Sequence, residues 1–277
     1  MEISSLLKSL FPFLRSDEDL SLDEIYKKGN RLLKKYKYRE AYLLFKYAAD
    51  QGHDPSVCKV ALCYRKGYGV QANIDEAVRL MRLSAEHGYA FGQYHLATYY
   101  QRGLGVEKDI DKALEWYHKA ADQGEPVALN NLGSLYVGRE GVPRDLQKSF
   151  ECFQKAADLG YAFATKSLGV CYEEGRGVAP DPKRAFELYQ QSADMGCESA
   201  FYFIGRCYEL GIGTEPNPKK AFENYKLAAR KNYRDANYAL GRCYAKGIGT
   251  KPDQKLAESL RWDAILRGYQ PKDIEKY

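Results

Sequence analysis

No stretch of this 277-residue chain approaches roughly 18 consecutive apolar residues, so nothing in it reads as a membrane-spanning helix. Charge of one sign is also scarce. The net charge of +5 is spread along the chain, and no run of about five or six basic residues is available to track a phosphate backbone, which argues against nucleic acid as a partner. Histidine is limited to His53, His87, His95 and His118, none of them three or four positions from another or beside a Cys-x-x-Cys. No metal site and no cofactor are expected from such a set. What is present is an ordinary globular composition, 45% hydrophobic and 29% charged, too apolar for a disordered chain.

The apolar and small residues recur with a fixed period. Gly52, Gly88, Gly124, Gly160, Gly196 and Gly268 stand 36 residues apart or a multiple of it, with Asn232 filling the one gap. Glycine, and asparagine after it, tolerates the left-handed backbone that ends a helix. A second series, Tyr64, Tyr100, Tyr136, Tyr172, Tyr208 and Tyr244, follows an aliphatic residue by four positions, and a small residue (Ala61, Ala97, Gly133, Gly169, Gly205, Gly241) comes directly after each aliphatic one. This is a helix that another helix approaches closely. Two nearby glycines then stop it, as in Gly67-Tyr-Gly69 and Gly211-Ile-Gly213. In the third copy the sequence reads Arg139-Glu-Gly141, and an altered turn is expected there.

Every loop ends in Asn73, Asp109, Asp145, Asp181, Asn217 or Asp253, with Pro182 and Pro218 following two of them. A side-chain oxygen at the N-cap and proline at the first helical position predict the start of a second helix. Along it, Ala77, Ala113, Ser149, Ala185, Ala221 and Ala257 begin a stripe. Met81, Tyr117, Phe153, Tyr189 and Tyr225 continue it, and Ala85, Ala121, Ala157, Ala193 and Ala229 close it, at i, i+4, i+8. Small, large, small lets two helices interdigitate. In the last copy Arg261 and Ile265 replace the aromatic and the final alanine, as suits an end repeat facing water.

The pattern small-x-x-x-Leu-Gly-x-x-Tyr-x-x-Gly-x-Gly-Val-x-x-Asp-x-x-x-Ala, carried best by Leu129 to Tyr136 and Lys155 to Gly160, resembles the Sel-one-like repeat family, relatives of tetratricopeptide proteins. The resemblance implies an all-α fold, a right-handed α-solenoid of antiparallel helix hairpins. Six repeats are read at 53–88, 89–124, 125–160, 161–196, 197–232 and 233–268. Residues 21–52, where Gly29 precedes Phe45 by 16 positions and only Lys35 to Lys37 can turn, read as a tetratricopeptide-like capping hairpin without the Gly-x-Gly insertion. Seven hairpins at a helix spacing of about 8 to 10 Å would give a rod or crescent on the order of 60 to 70 Å. Residues 269–277 form a tail, and 1–20 an amphipathic segment on Ile3, Leu6, Leu7, Leu10, Phe11 and Leu14. That segment reads as a docked helix, a partner- or membrane-surface contact through residues 1–15, or a targeting signal, although no small-residue cleavage site follows it.

Catalytic patterns are thin. The glycine loops follow no strand and carry no Gly-Lys-Ser/Thr, so they read as turns and not as phosphate cradles. Ser-x-x-Lys occurs at Ser5 to Lys8 and Ser56 to Lys59, without Ser-Asp-Asn or Lys-Thr-Gly; the β-lactamase-like hydrolase reading claimed for some family members is the alternative kept open. Of seven cysteines, Cys63, Cys171, Cys207 and Cys243 share one position in the first helix. Neighbouring copies at helix spacing stand beyond disulfide reach, which favours a reducing, cytoplasmic setting, with secretion into a host cell as an effector the alternative.

By the tetratricopeptide analogy, the first helices line a concave wall that binds partner proteins. The positions two before and two after the aliphatic residue supply the candidate contacts Tyr94, Lys166, Tyr202, Arg206, Tyr238 and Arg242, joined by Asn130 and Asn131 as peptide-backbone binders. Tyrosine beside arginine is the composition of interaction hot spots. The expected partner is a protein segment or domain with an acidic end, and the expected role is a non-enzymatic scaffold or adaptor.

Overall fold

A computed structural model describes residues 21–269 apart from Asn232, and the proposed amphipathic segment at 1–20 lies outside that range. Fourteen helices follow one another, and every regular element among the described residues is a helix. They are α1 (Leu22–Lys34), α2 (Tyr38–Asp50), α3 (Asp54–Lys66), α4 (Ile74–Glu86), α5 (Ala90–Arg102), α6 (Ile110–Asp122) and α7 (Pro126–Tyr136), then α8 (Leu146–Asp158), α9 (Ala162–Glu174), α10 (Pro182–Asp194), α11 (Ala200–Leu210), α12 (Pro218–Arg230), α13 (Arg234–Lys246) and α14 (Gln254–Leu266). Consecutive helices pack on each other, giving an all-α solenoid. The chain forms two compact units. Among the described residues, the first runs to Leu132 and includes Glu140–Val142; the second comprises Gly133–Arg139 and the residues from Pro143 to Tyr269.

The loop chemistry explains where each even-numbered helix from α4 starts. The side chains of Asn73, Asp109, Asp145, Asp181, Asn217 and Asp253 each accept a hydrogen bond from the backbone N–H three residues on, at 2.9 to 3.0 Å. Each such cap stabilises its helix by about 1 kcal/mol. The backbone N–H of the same residue donates to the carbonyl of the invariant tyrosine, as in Asp181 to Tyr172 at 2.8 Å and Asn217 to Tyr208 at 2.7 Å. One residue thus closes the loop and opens the helix. The first hairpin reaches the same packing without that loop: Tyr36 takes φ +59° in the turn, and a Cβ at Gly29 would lie 2.5 Å from the Phe45 ring.

Within the hairpins, small residues of the first helix make room for rings of the second. A Cβ at Gly169 would lie 2.6 Å from Tyr189, and one at Gly205 2.7 Å from Tyr225. Between hairpins, the invariant tyrosines meet an aromatic of the preceding second helix edge-on: Tyr172 on Phe150, Tyr208 on Phe186 and Tyr244 on Phe222, at 5.3 to 5.7 Å between centroids. The stripe expected at i, i+4, i+8 holds at Ala85, which is buried, and is corrected in the other copies. There the more deeply buried third member comes at i+7, in Ala120, Ala156, Ser192, Ala228 and Ala264, as it also does in Ser84 beside Ala85. Seven residues make about two turns, whereas the eighth overshoots by most of a quarter-turn and points Ala121, Ala157, Ala193 and Ala229 toward the edge.

The two glycines of each loop have different jobs. Gly211 caps α11 in the left-handed conformation at φ +72°. Gly213, at φ +66°, lies so close to the preceding hairpin that a Cβ would collide with the carbonyl of Pro182 at the start of α10. The second glycine is therefore a docking point between hairpins as well as a turn. The third copy has the altered turn expected of it, with Gly138 at φ +94° and the non-glycine Glu140 held at φ +55°.

Candidate interaction surface

In the second unit the odd-numbered helices carry a repeated polar clamp. Tyr189 of α10 donates its hydroxyl to Glu173 of α9 at 2.6 Å, and Arg206 of α11 pairs with the other oxygen of Glu173 at 3.0 Å. One repeat later, Tyr225 of α12 donates to Glu209 of α11 at 2.6 Å, and Arg242 of α13 pairs with that carboxylate. The side chains are mostly out of water, Glu173 at 11% and Arg206 at 19% exposure, so removing one partner of this pair alone is costly. The first unit holds a neutral version: the Tyr117 hydroxyl donates to Gln101 at 2.7 Å.

Burial first, and the adjacent carboxylates second, push the Tyr189 and Tyr225 hydroxyls far above the ordinary tyrosine value of 10.0. A group whose pKa is raised on folding contributes stability that is fully present below its unfolded value and is lost as the pH climbs past it. The denaturation midpoint is therefore expected to fall steadily from about pH 10 upward, with ionisation of these tyrosines, read by ultraviolet absorbance, arriving together with unfolding. A midpoint level between about pH 9 and about pH 11 would contradict the assignment.

This arrangement corrects part of the expected wall. Tyr202 is a core residue, 9% exposed, packed against Phe203, Tyr225 and Tyr233 at 5.3 to 5.8 Å. Its ring tilts under the next hairpin, where it gains more from burial than from solvent. Arg206 and Arg242 are neutralised by Glu173 and Glu209, so they do not form an open basic surface. Tyr238 stacks on Tyr269 at 4.3 Å, with the Arg261 guanidinium 5.5 Å from its ring. In the first unit Tyr94 is half-buried beside Phe91 and His95, and Asn131 donates its amide to the Tyr117 hydroxyl at 3.2 Å, which leaves less of it for a peptide; Asn130 is half-buried next to it. His95 is pushed down to about 4 by burial and by Arg65 and Lys59, so it is neutral at physiological pH.

Lys166 opens onto a large cavity. This space of about 480 Å³ is lined by Ser134 and Val137 at the end of α7, Arg139 of the altered turn, Phe153, Lys166, Val170, Phe203 and Asp235. Its lining comes chiefly from α7, α9, α11 and α13, the first helices of successive hairpins. Its acidic members already have partners: Glu174 bonds Arg176, and Asp235 bonds Arg234 at 3.3 Å. No carboxylate lies within ion-pair distance of Lys166 or Arg139 among the described residues. Burial above all, with the Arg139 charge adding to it, holds the Lys166 ammonium below the ordinary lysine value.

Nucleophilic chemistry has one geometric echo. His53 Nδ1 lies 2.7 Å from the Ser56 hydroxyl and its Nε2 3.1 Å from Asp23. Ser56 is fully buried in the first turn of α3, and Lys59 lies over the Tyr26 ring at 5.9 Å. The contacts fasten a helix N-terminus, and a hydroxyl closed to solvent cannot reach a substrate. Ser5 and Lys8 lie outside the described residues. Among those residues no cluster of three or more His, Cys, Asp or Glu is placed to hold a metal ion, and no helix is long and apolar enough to cross a membrane. All seven cysteines are free thiols; burial pushes Cys207 and Cys243 up to about 12.

Comparison with known proteins agrees with this architecture. The Sel1 repeat model matches residues 19–53, 55–89, 90–125, 126–161, 162–197, 199–233 and 234–260, so it also takes in the short-turned first hairpin. A Sel1 repeat protein from Oxalobacter formigenes is 34% identical, with a TM-score of 0.78 over 89% of this chain and 100% of its own. The c5321 protein of uropathogenic Escherichia coli, described as a protective antigen displaying an SLR fold, is 29% identical with a TM-score of 0.67, over 97% of this chain and 62% of its own. The immunity protein Pa5087 from Pseudomonas aeruginosa shares the fold at 24% identity, with a TM-score of 0.53 over 77% and 81% of the two chains. None of the curated proteins matches the chain.

Proposed function

Because the chain belongs to the Sel1 repeat family, we propose that it is a non-enzymatic scaffold that holds a partner polypeptide on the wall formed by the first helices of its second unit, and so recruits or regulates that partner. The observation that carries this reading is the cavity of about 480 Å³, which combines the apolar faces of Val137, Val170 and Phe203 with Lys166 and Arg139, two cations with no carboxylate at ion-pair distance among the described residues. Apolar anchors beside unpaired charge are what a polypeptide segment needs for affinity and register together. The free buried thiols support a reducing, cytoplasmic compartment.

The test compares wild type with Val170→Trp, which fills the cavity, and with Glu223→Lys on an exposed position of α12. Quantitative capture from the source cells should recover a protein that Val170→Trp loses by about tenfold and Glu223→Lys retains. Equal recovery by all three baits would remove the wall from consideration.

A further inference from the structure

Aligning the repeats within this single chain exposes a correlated change. Where the second helix carries tyrosine (Tyr117, Tyr189, Tyr225), the position after the invariant tyrosine of the first helix is Gln101, Glu173 or Glu209. Where it carries another residue (Met81, Phe153, Arg261), that position is Arg65, Val137 or Ala245. The arginine that clamps each carboxylate follows it by 33 residues, at Arg206 and Arg242; the position 33 residues after Val137 is Val170. Phe153, Val137 and Val170 therefore stand where the clamp has tyrosine, carboxylate and arginine, and all three line the same cavity.

The clamp neutralises its own charges, whereas the substituted copy is uncharged at these three positions and borders a cavity. The cavity beside it has a mainly polar lining with an apolar strip of Val137, Val170 and Phe203, and it holds Lys166, one turn before Val170, and Arg139 from the altered turn. The Lys166 ammonium lies 5.5 Å from the Phe203 ring centroid, a contact that orients it without satisfying its charge. A mostly dehydrated ammonium beside a guanidinium is unfavourable by itself and is relieved by an anion bound between them.

From this juxtaposition we infer that the recess is a recognition pocket for an acidic side chain of a partner polypeptide, whose carboxylate sits on Lys166 and Arg139 while a neighbouring apolar residue covers Val137, Val170 and Phe203. The inference rests on the scaffold reading and gives its partner a chemistry: the incoming aspartate or glutamate replaces the carboxylate that the third repeat lacks. A polypeptide is favoured over a free anion because the recess offers apolar surface that inorganic phosphate cannot cover.

The test uses an array of synthetic decapeptides, each acidic peptide paired with a twin in which Asp or Glu becomes Asn or Gln. The intact protein should bind a subset of acidic peptides about tenfold or more above their twins. Lys166→Met and Arg139→Gln should each reduce that preference to near parity, while Lys219→Met at the exposed start of α12 leaves it intact. Arg139 is exposed in a loop, so its variant remains informative even where Lys166→Met disturbs packing. Equal binding of acidic and amide peptides would overturn the acidic pocket and leave the scaffold reading standing. So would binding of inorganic phosphate through Lys166 with no peptide bound. Loss of the captured protein in the Val170→Trp bait, measured separately, decides the scaffold reading by itself.

Discussion

Gly213→Ala is expected to lower stability by about 3 kcal/mol or more, and Gly211→Ala two residues earlier by only about 1 kcal/mol. Both alanines would pay the left-handed backbone cost, at φ +66° and φ +72°. The difference is in what each Cβ meets. At 211 the nearest atom is the Pro216 ring at 3.1 Å, within a loop that can adjust. At 213 it is backbone, the carbonyl and Cα of the Pro182–Lys183 segment that opens α10, and a helix N-terminus cannot yield without undocking the hairpin. Urea denaturation followed by circular dichroism would give the two values, and hydrogen exchange should show α11 and α12 losing protection first in Gly213→Ala. Equal effects for the two variants would mean that the second glycine is only a turn.

Glu173→Val is expected to be nearly as damaging, at about 3 kcal/mol, because it removes the carboxylate that both Arg206 and the Tyr189 hydroxyl bond in a mostly buried site. The third repeat already shows how the same space is built without charge, with Phe153, Val137 and Val170. Copying that solution into the fourth, as Glu173→Val with Tyr189→Phe and Arg206→Val, should recover about half or more of the loss despite removing two further polar groups. Denaturation midpoints of the single and triple variants decide it. A triple variant less stable than Glu173→Val would show that the clamp's residues act independently.

Local features were legible in the sequence because they depend on residues close together in it. Asp181 with Pro182 announces the start of α10, Gly211 the end of α11, and Gly205 the ring of Tyr225, each through a backbone or steric rule that acts within one hairpin. Of the residues the sequence placed on the first helices, Lys166 lines a cavity whose walls come chiefly from those helices. What escaped were relations between hairpins. Tyr202 has the composition of a hot spot, and its burial depends on Tyr233 of the next repeat. Arg206 and Arg242 read as free cations until their partners 33 residues earlier are found. The signal was present, since tyrosine changes together with Glu or Gln from repeat to repeat, and arginine accompanies the two glutamates. Reading each position as a separate column hides it.

The measurement that tests the account most directly is site-specific photocrosslinking in the source cells, with a photoreactive residue at position 170 in the recess or at position 223 on α12. The account predicts a discrete protein adduct from position 170, strongly reduced when Lys166→Met is added, and none from position 223. An adduct from 223 alone, or one from 170 indifferent to Lys166, would contradict it.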